Sequence, residues 1–315
     1  MTPRSFLRAI LGLCLATALA PIADARQVRV NVAANTFSPQ NLTLNMGDHV
    51  VWIWTGGSHD VTSGSFTGNG SPDGRFASGA TASSRTYSWL STGATGNQNY
   101  YCEAHIALGM TASLNLVNNG SGAAGADFRI SEVLYNPVSG ADQVEITNYG
   151  ATGDFSKYRL KINGLAVLQL NVTSTPTVMS VPAGGRVVIH LGVSGTNTAT
   201  NLFFASASLA NAGSLALYVP NTQNTSLTDV TQIIDYVSWN GGSENEATAV
   251  SAGLWATSAT LPDVAQGHSL EFCGIAGQYG TTFWSEVATP NLGSNGNCST
   301  PLVRSTWGRV KSLYR

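Results

Sequence analysis

YCEAHIALGM, Tyr101 to Met110, brings a thiol, an imidazole and a thioether into one short loop. The chain has 315 residues but only 4 cysteines, 4 methionines and 5 histidines, so this grouping asks for a chemical reason. Soft sulfur ligands combined with imidazole favour copper among the common first-row metals, and a trigonal set of two histidines and one cysteine with a weak axial methionine suits that ion. Cys102, His105 and Met110 supply three of those groups. Zinc competes for cysteine and histidine, but the thioether argues for copper. Singly, a cysteine or a methionine is ordinary core filler; the ordered set carries the reading.

The second histidine has to come from elsewhere. His190 and His268 lie far along the chain, which leaves His49 and His59. His49, in GDHVVWIW, abuts a strand and should point away from the face shared by Val50, Trp52 and Trp54. His59, in GGSHDV, follows that strand and suits a loop at the end of a sandwich, so it is the expected remaining ligand.

Outward from the loop, VRVNVAA, LTLNM, HVVWIWT and ASLNLV are short runs rich in Val, Leu, Ile and Trp, bounded by Gly, Asn, Pro or Ser. That is the signature of short strands in a sandwich, and it predicts an all-β domain over residues 26–117. NNGSGAAGAD, Asn118 to Asp127, has no large apolar residue and reads as a flexible linker. FRISEVLY, QVEITNYG, RVVIHLGV, SLALYVP and QIIDYVSW then predict a second β-sandwich over 128–298. Neither Cys273 nor Cys298 has a histidine or another cysteine at metal-ligand spacing. The two are expected to form a disulfide, closing a loop worth roughly 3–4 kcal/mol in the chain-entropy view.

The formal net charge of -2 gives no reason to expect a nucleic-acid partner, and 34 glycines with 10% charged residues suit turn-rich β-structure. Arg4 and Arg8, the apolar run Ile10 to Leu19, and Ala23-Asp24-Ala25 read as a signal peptide over 1–25. Export to the periplasm or the extracellular surface is therefore expected; an uncleaved anchor is the alternative, although the run is shorter than the ~20 residues that span a bilayer. Arg304, Arg309, Lys311 and Arg315 make 299–315 a basic, exposed tail. Glu132, Asp142, Glu145 and Asp154 match no calcium-loop spacing and read as surface carboxylates. No Ser-His-Asp order, nucleotide loop or paired catalytic carboxylates emerges, so no enzymatic activity is expected.

The motifs of residues 27–117 have a familiar order. FSP at Phe37 to Pro39, then MGDHVVW, SHDV and YYCEAHIALGM with its C-x2-H-x4-M spacing, together resemble the plastocyanin-type cupredoxins. The resemblance implies a Greek-key β-sandwich holding one type 1 copper through His59, Cys102, His105 and Met110, and transfer of single electrons. It also implies that His105 reaches the surface through an apolar patch including Ile106 and Leu108, where a small redox protein or a membrane electron-transfer complex would dock. Tyr101, expected to face outward because Tyr100 shares the face of Cys102, matches the tyrosine thought to serve as a second electron port. Asp60 stands where the family commonly has asparagine, and a carboxylate there favours Cu(II) and a lower potential. FRISEVLYNPVSGADQVEITNYG, Phe128 to Gly150, and FWSEVATPNLGSNG resemble the opening and close of lamin-tail-like domains, implying an immunoglobulin-like sandwich that engages an envelope or protein partner. The other reading is a structural or adhesive surface protein whose cupredoxin domain sequesters copper without a redox partner.

Overall fold

The computed structural model describes residues 26–118, 125–163, 167–170, 179–221, 227–275, 277–296 and 298. The expected signal peptide, the basic tail and most of the expected linker lie outside these residues.

The protein is all-β. Its first part contains β1 (Gln27–Ala33), β2 (Thr36–Ser38), β3 (Asn41–Asn45), β4 (His49–Trp54) and β5 (Thr62–Ser65). β6 (Ser71–Ala77), β7 (Thr86–Leu90), β8 (Gly96–Tyr101) and β9 (Thr111–Val117) complete it. One sheet has the order β2-β1-β4-β7 and the other β3-β9-β8-β5-β6. β1 runs parallel to β4, and β3 parallel to β9.

Alternation decides which side chains fill the space between the sheets. In β1, Val28, Val30 and Val32 turn inward; in β9, Ala112, Leu114 and Leu116 do so. They meet Trp52, Trp54 and Tyr100 in one core.

β4 breaks the alternating pattern of burial, because all six of its residues are buried. Val50, Trp52 and Trp54 face the core, while His49, Val51 and Ile53 lie on the opposite face. That face meets the second part of the chain: His49 Nε2 donates to the carbonyl of Thr231 at 2.8 Å. Ser88, opposite Val51 on β7, donates to the carbonyl of Pro220. At the start of β1, Tyr158 donates to Gln27 and Arg29 pairs with Asp154. Ala126 and Gln27 exchange both backbone hydrogen bonds, at 2.8 and 3.1 Å. Gly125 and Asp127, on either side of Ala126, accept backbone hydrogen bonds from Ala151 and Tyr149, pairing that needs no large side chain.

The second part contains β10 (Phe128–Leu134), β11 (Asp142–Asn148), β12 (Gly153–Asp154), β13 (Arg159–Ile162), β14 (Val167–Gln169) and β15 (Ser180–Val181). β16 (Arg186–Leu191), β17 (Asn201–Phe204), β18 (Gly213–Tyr218) and β19 (Ile233–Trp239) follow. A short helix, α1 (Glu246–Ser251), precedes β20 (Ser269–Phe272) and β21 (Trp284–Val287). The main sheets are β17-β16-β11-β10-β20-β21 and β14-β13-β18-β19, with β12 paired to β15. Ile130, Val144, Ile146, Leu160, Leu215 and Trp239 belong to the core of this part. Cys273 and Cys298 are joined by a disulfide, with Cα atoms 5.4 Å apart.

Two carboxylates expected at the surface are inside instead. The register of β10 shifts between Ile130 and Glu132, and this bulge turns Val133 back to the core while Glu132 lies between Glu145 on β11 and Glu271 on β20. Glu132 has 0% exposure and Glu145 3%. The segment after β21 covers them: Asn291 N–H donates to Glu132 at 3.2 Å, and Gly293 N–H donates to Glu145 at 2.7 Å. Burial, then the charges of Glu145 and Glu271, push the Glu132 carboxyl up from its ordinary 4.5 to about 7. Asp142 and Asp154 are held apart from this group, accepting from Leu209 N–H and from the Ser156 and Met179 N–H groups respectively.

Candidate metal centre

His59, Cys102 and His105 converge at one end of the first sandwich, their donor atoms all within 4.8 Å of one another. His59 Nδ1 lies 3.2 Å from His105 Nδ1, and Cys102 Sγ lies 3.2 Å from the same His105 nitrogen. Bonds of roughly 2.0–2.3 Å from a single ion to N and S ligands place those ligands roughly 3.3–3.6 Å apart. The two separations from His105 are close to that spacing. Among the described residues, this is the one such group of three or more potential metal ligands.

The β8–β9 connection explains why three candidate ligands can share one loop. Cys102 N–H donates to the Met110 carbonyl at 3.1 Å, and Met110 N–H donates to the His105 carbonyl at 3.2 Å. His105 N–H in turn donates to the Cys102 carbonyl at 3.1 Å. A single 3-10 turn, Ile106–Leu108, fills the space between, and Gly109 closes it at φ +82°. That left-handed conformation is one glycine adopts without steric cost. Cys102 and Met110 are both fully buried, so the loop folds its two sulfur residues inward.

His59 arrives from the loop after β4. Its ring packs on Gly57, where an added Cβ would lie 2.2 Å from Nε2, and that nitrogen is buried without a partner. Burial, then the neighbouring His105, lowers its pKa from the ordinary value. The Cys102 thiol is pushed up to about 11, chiefly by burial. A cation between these donors would reverse that preference, since a coordinated thiol loses its proton.

Asp60 binds the two ligand loops together. Its Oδ1 accepts from Cys102 Sγ at 3.1 Å and from Glu103 N–H at 3.0 Å, and its Oδ2 accepts from Thr62 Oγ1 at 3.0 Å.

The surface residues divide. Leu108 is 67% exposed, and His105 and Ile106 are partly exposed beside it. Tyr101 is a correction: expected to face solvent, it is 1% exposed. It lies off the core, but Gly70 before β6 packs directly on its ring, so an outward direction did not mean an open face. Trp54 and Ala82, which hydrogen-bond the backbone of His59, and Arg85, which lies over the Trp54 ring, carry no ligand chemistry and give no signal of these contacts in the sequence.

No protein-family model matches the chain, and no curated protein matches it. Solved structures do. A plastocyanin from Dryopteris crassirhizoma in its oxidised form is 16% identical over 29% of this chain and 100% of its own, with a TM-score of 0.23. A purple cupredoxin from Nitrosopumilus maritimus is 19% identical over 29% of this chain and 99% of its own, with a TM-score of 0.25. An oxidised amicyanin mutant is 20% identical over 29% of this chain and 81% of its own, with a TM-score of 0.23.

Proposed function

We propose that this chain is an exported copper protein that carries single electrons, with a second sandwich appended as an interaction module. The observation that carries the reading is the convergence of the His59 and His105 imidazoles and the buried Cys102 thiol, their donor atoms within 4.8 Å of one another, with Cys102 and His105 on a loop whose backbone also ties in Met110. His59, Cys102 and His105 would hold one copper ion together with Met110, the ligand set of a plastocyanin-type cupredoxin. Copper so held supplies a one-electron couple between Cu(I) and Cu(II).

The chain's own residues do the rest. Cys102 and Met110 are sealed from solvent, which excludes water from the sulfur side. The hydrogen bonds from Cys102 and Glu103 to Asp60, the residue after His59, keep the donors from drifting apart when no ion holds them. His105 meets the surface beside Ile106 and exposed Leu108, a small apolar patch suited to the brief, low-area docking of a redox protein or a membrane electron-transfer complex. The N-terminal segment read as a signal peptide and the Cys273–Cys298 disulfide favour the periplasm or the cell exterior. The lamin-tail-like reading of the second sandwich makes it a module for an envelope or protein partner. No catalytic role belongs to this scheme.

The test is the visible spectrum of residues 26–315 after addition of Cu(II), beside His59→Ala and Cys102→Ala. The expected result is an intense thiolate-to-copper charge-transfer band that reductant bleaches and both variants lack. A folded wild-type protein that stays colourless with copper would defeat the reading.

A further inference from the structure

Trp54 ends β4 with its side chain in the core, 3% exposed, yet its indole N–H is directed at the ligand loop. Nε1 donates to the carbonyl of His59 at 2.9 Å. The same carbonyl accepts the N–H of Ala82 at 2.9 Å, and His59 N–H donates to the Ala82 carbonyl at 3.0 Å. The backbone of one candidate ligand is therefore gripped from two sides by groups that are not themselves ligands.

The second grip comes from residues 78–85, which form a strap beside the ligand loop. Ser78 anchors one end: its N–H donates to the Val61 carbonyl at 2.8 Å, and its Oγ accepts from Val61 N–H at 2.9 Å. Arg85 anchors the other and gathers the middle, its Nη1 reaching the carbonyls of Ser78 at 2.6 Å and Ala80 at 2.7 Å. Its guanidinium carbon lies 5.9 Å from the centroid of the Trp54 ring, and its carbonyl accepts from Trp54 N–H at 3.0 Å. Trp54, His59, Ala82 and Arg85 thus form a closed circuit around the ligand's backbone.

We propose that Trp54 is a positioning residue for His59, with Arg85 holding the strap that completes the clamp. The proposal rests on the reading of His59 as a copper ligand. Hydrophobic filling alone would be met by any large apolar ring at this position; the N–H matters only because the His59 carbonyl has to be fixed. Two donors on that carbonyl set the orientation of the peptide plane after His59, and with it the direction in which the imidazole leaves the backbone. The ring then stands at His105 before any ion arrives. Groups outside the ligand set that orient a ligand in this way tune both affinity and electronic character.

Trp54→Phe keeps a buried ring and removes the donor; Arg85→Met loosens the strap from a partly exposed position; Arg85→Lys restores its charge. Copper-loaded proteins are compared by the position of the charge-transfer band and by reduction potential. Metal-free proteins are compared by amide exchange at His59 and Ala82. The expected result for Trp54→Phe is a folded protein that still takes copper, with band and potential both displaced. Exchange at the His59 and Ala82 amides should be faster by on the order of fivefold, as for the loss of one hydrogen bond. Arg85→Met should show the same signature, and Arg85→Lys should return part of it. Wild-type band, potential and exchange in Trp54→Phe would overturn the proposal. If Trp54→Phe does not fold, Arg85→Met decides, with unchanged values overturning it. If the wild-type protein shows no copper band, the copper reading fails by itself, and exchange confined to the His59–Ala82 pair still decides whether Trp54 fixes that backbone.

Discussion

Asp60 joins structure and chemistry at a single position. Its carboxylate holds the ligand loops together through Cys102, Glu103 and Thr62, and it also sets a negative charge against the sulfur. With copper bound, that charge stabilises the more positive ion. Asp60→Asn is therefore expected to raise the reduction potential, measured by redox titration at fixed pH; an unchanged or lower value would remove the charge argument. The approach of Cys102 to His105 is legible in the sequence because their spacing is local and one loop carries them. His59 was legible because a histidine just beyond a strand falls at the end of a sandwich. The burial of Tyr101 was not, since Gly70 covers it from a different strand connection, and alternation reports a direction without saying what lies there.

Among the elements, β10 shows how a bulge makes a titrating group. The extra residue between Ile130 and Glu132 keeps Ile130 and Val133 in the core and lines Glu132 up with Glu145 and Glu271. Glu132 holds a proton up to about pH 7, against an ordinary 4.5, so the folded state binds more protons than the unfolded chain between those values. Stability from this group is fully present below pH 4.5 and is lost as pH rises through 7. The expected loss is on the order of 3 kcal/mol. Urea melts from pH 4.5 to 8 should show the stability of the wild-type protein falling by that amount relative to Glu132→Gln as pH rises; a difference that stays constant with pH would place the titration elsewhere. The glutamates themselves stood in plain view, but the segment 291–296 that seals them lies far along the chain. β4 is partly legible: HVVWIWT reads as a strand, yet a run so continuously apolar also suits burial on both faces, and the second face is evident only with its partner.

Over the whole molecule, the two sandwiches meet where β1 and β4 begin, and His49 lies in that seam. The Thr231 carbonyl can only accept, so the ring hydrogen sits on Nε2, and Nδ1 is left buried without a partner. Burial lowers the His49 pKa from 6.5 to about 4; the charge of Arg129 adds to the shift, while the Thr231 carbonyl and Asp229 oppose it. This contribution to stability is present above pH 6.5 and is lost as pH falls through 4, by on the order of 3 kcal/mol. His49→Gln keeps a donor toward Thr231 without the titrating ring. The stability of the wild-type protein relative to His49→Gln is expected to fall between pH 6.5 and 4; a difference that stays constant with pH would clear His49 of the effect. β4 runs from this seam at His49 to Trp54 beside the ligand loop, a span of about 17 Å at 3.3 Å per residue. A molecule tethered through its second sandwich, whether to an envelope or to an electrode, would consequently hold the metal end away from the tether, and anchoring it that way would leave electron exchange open to whatever approaches from solution.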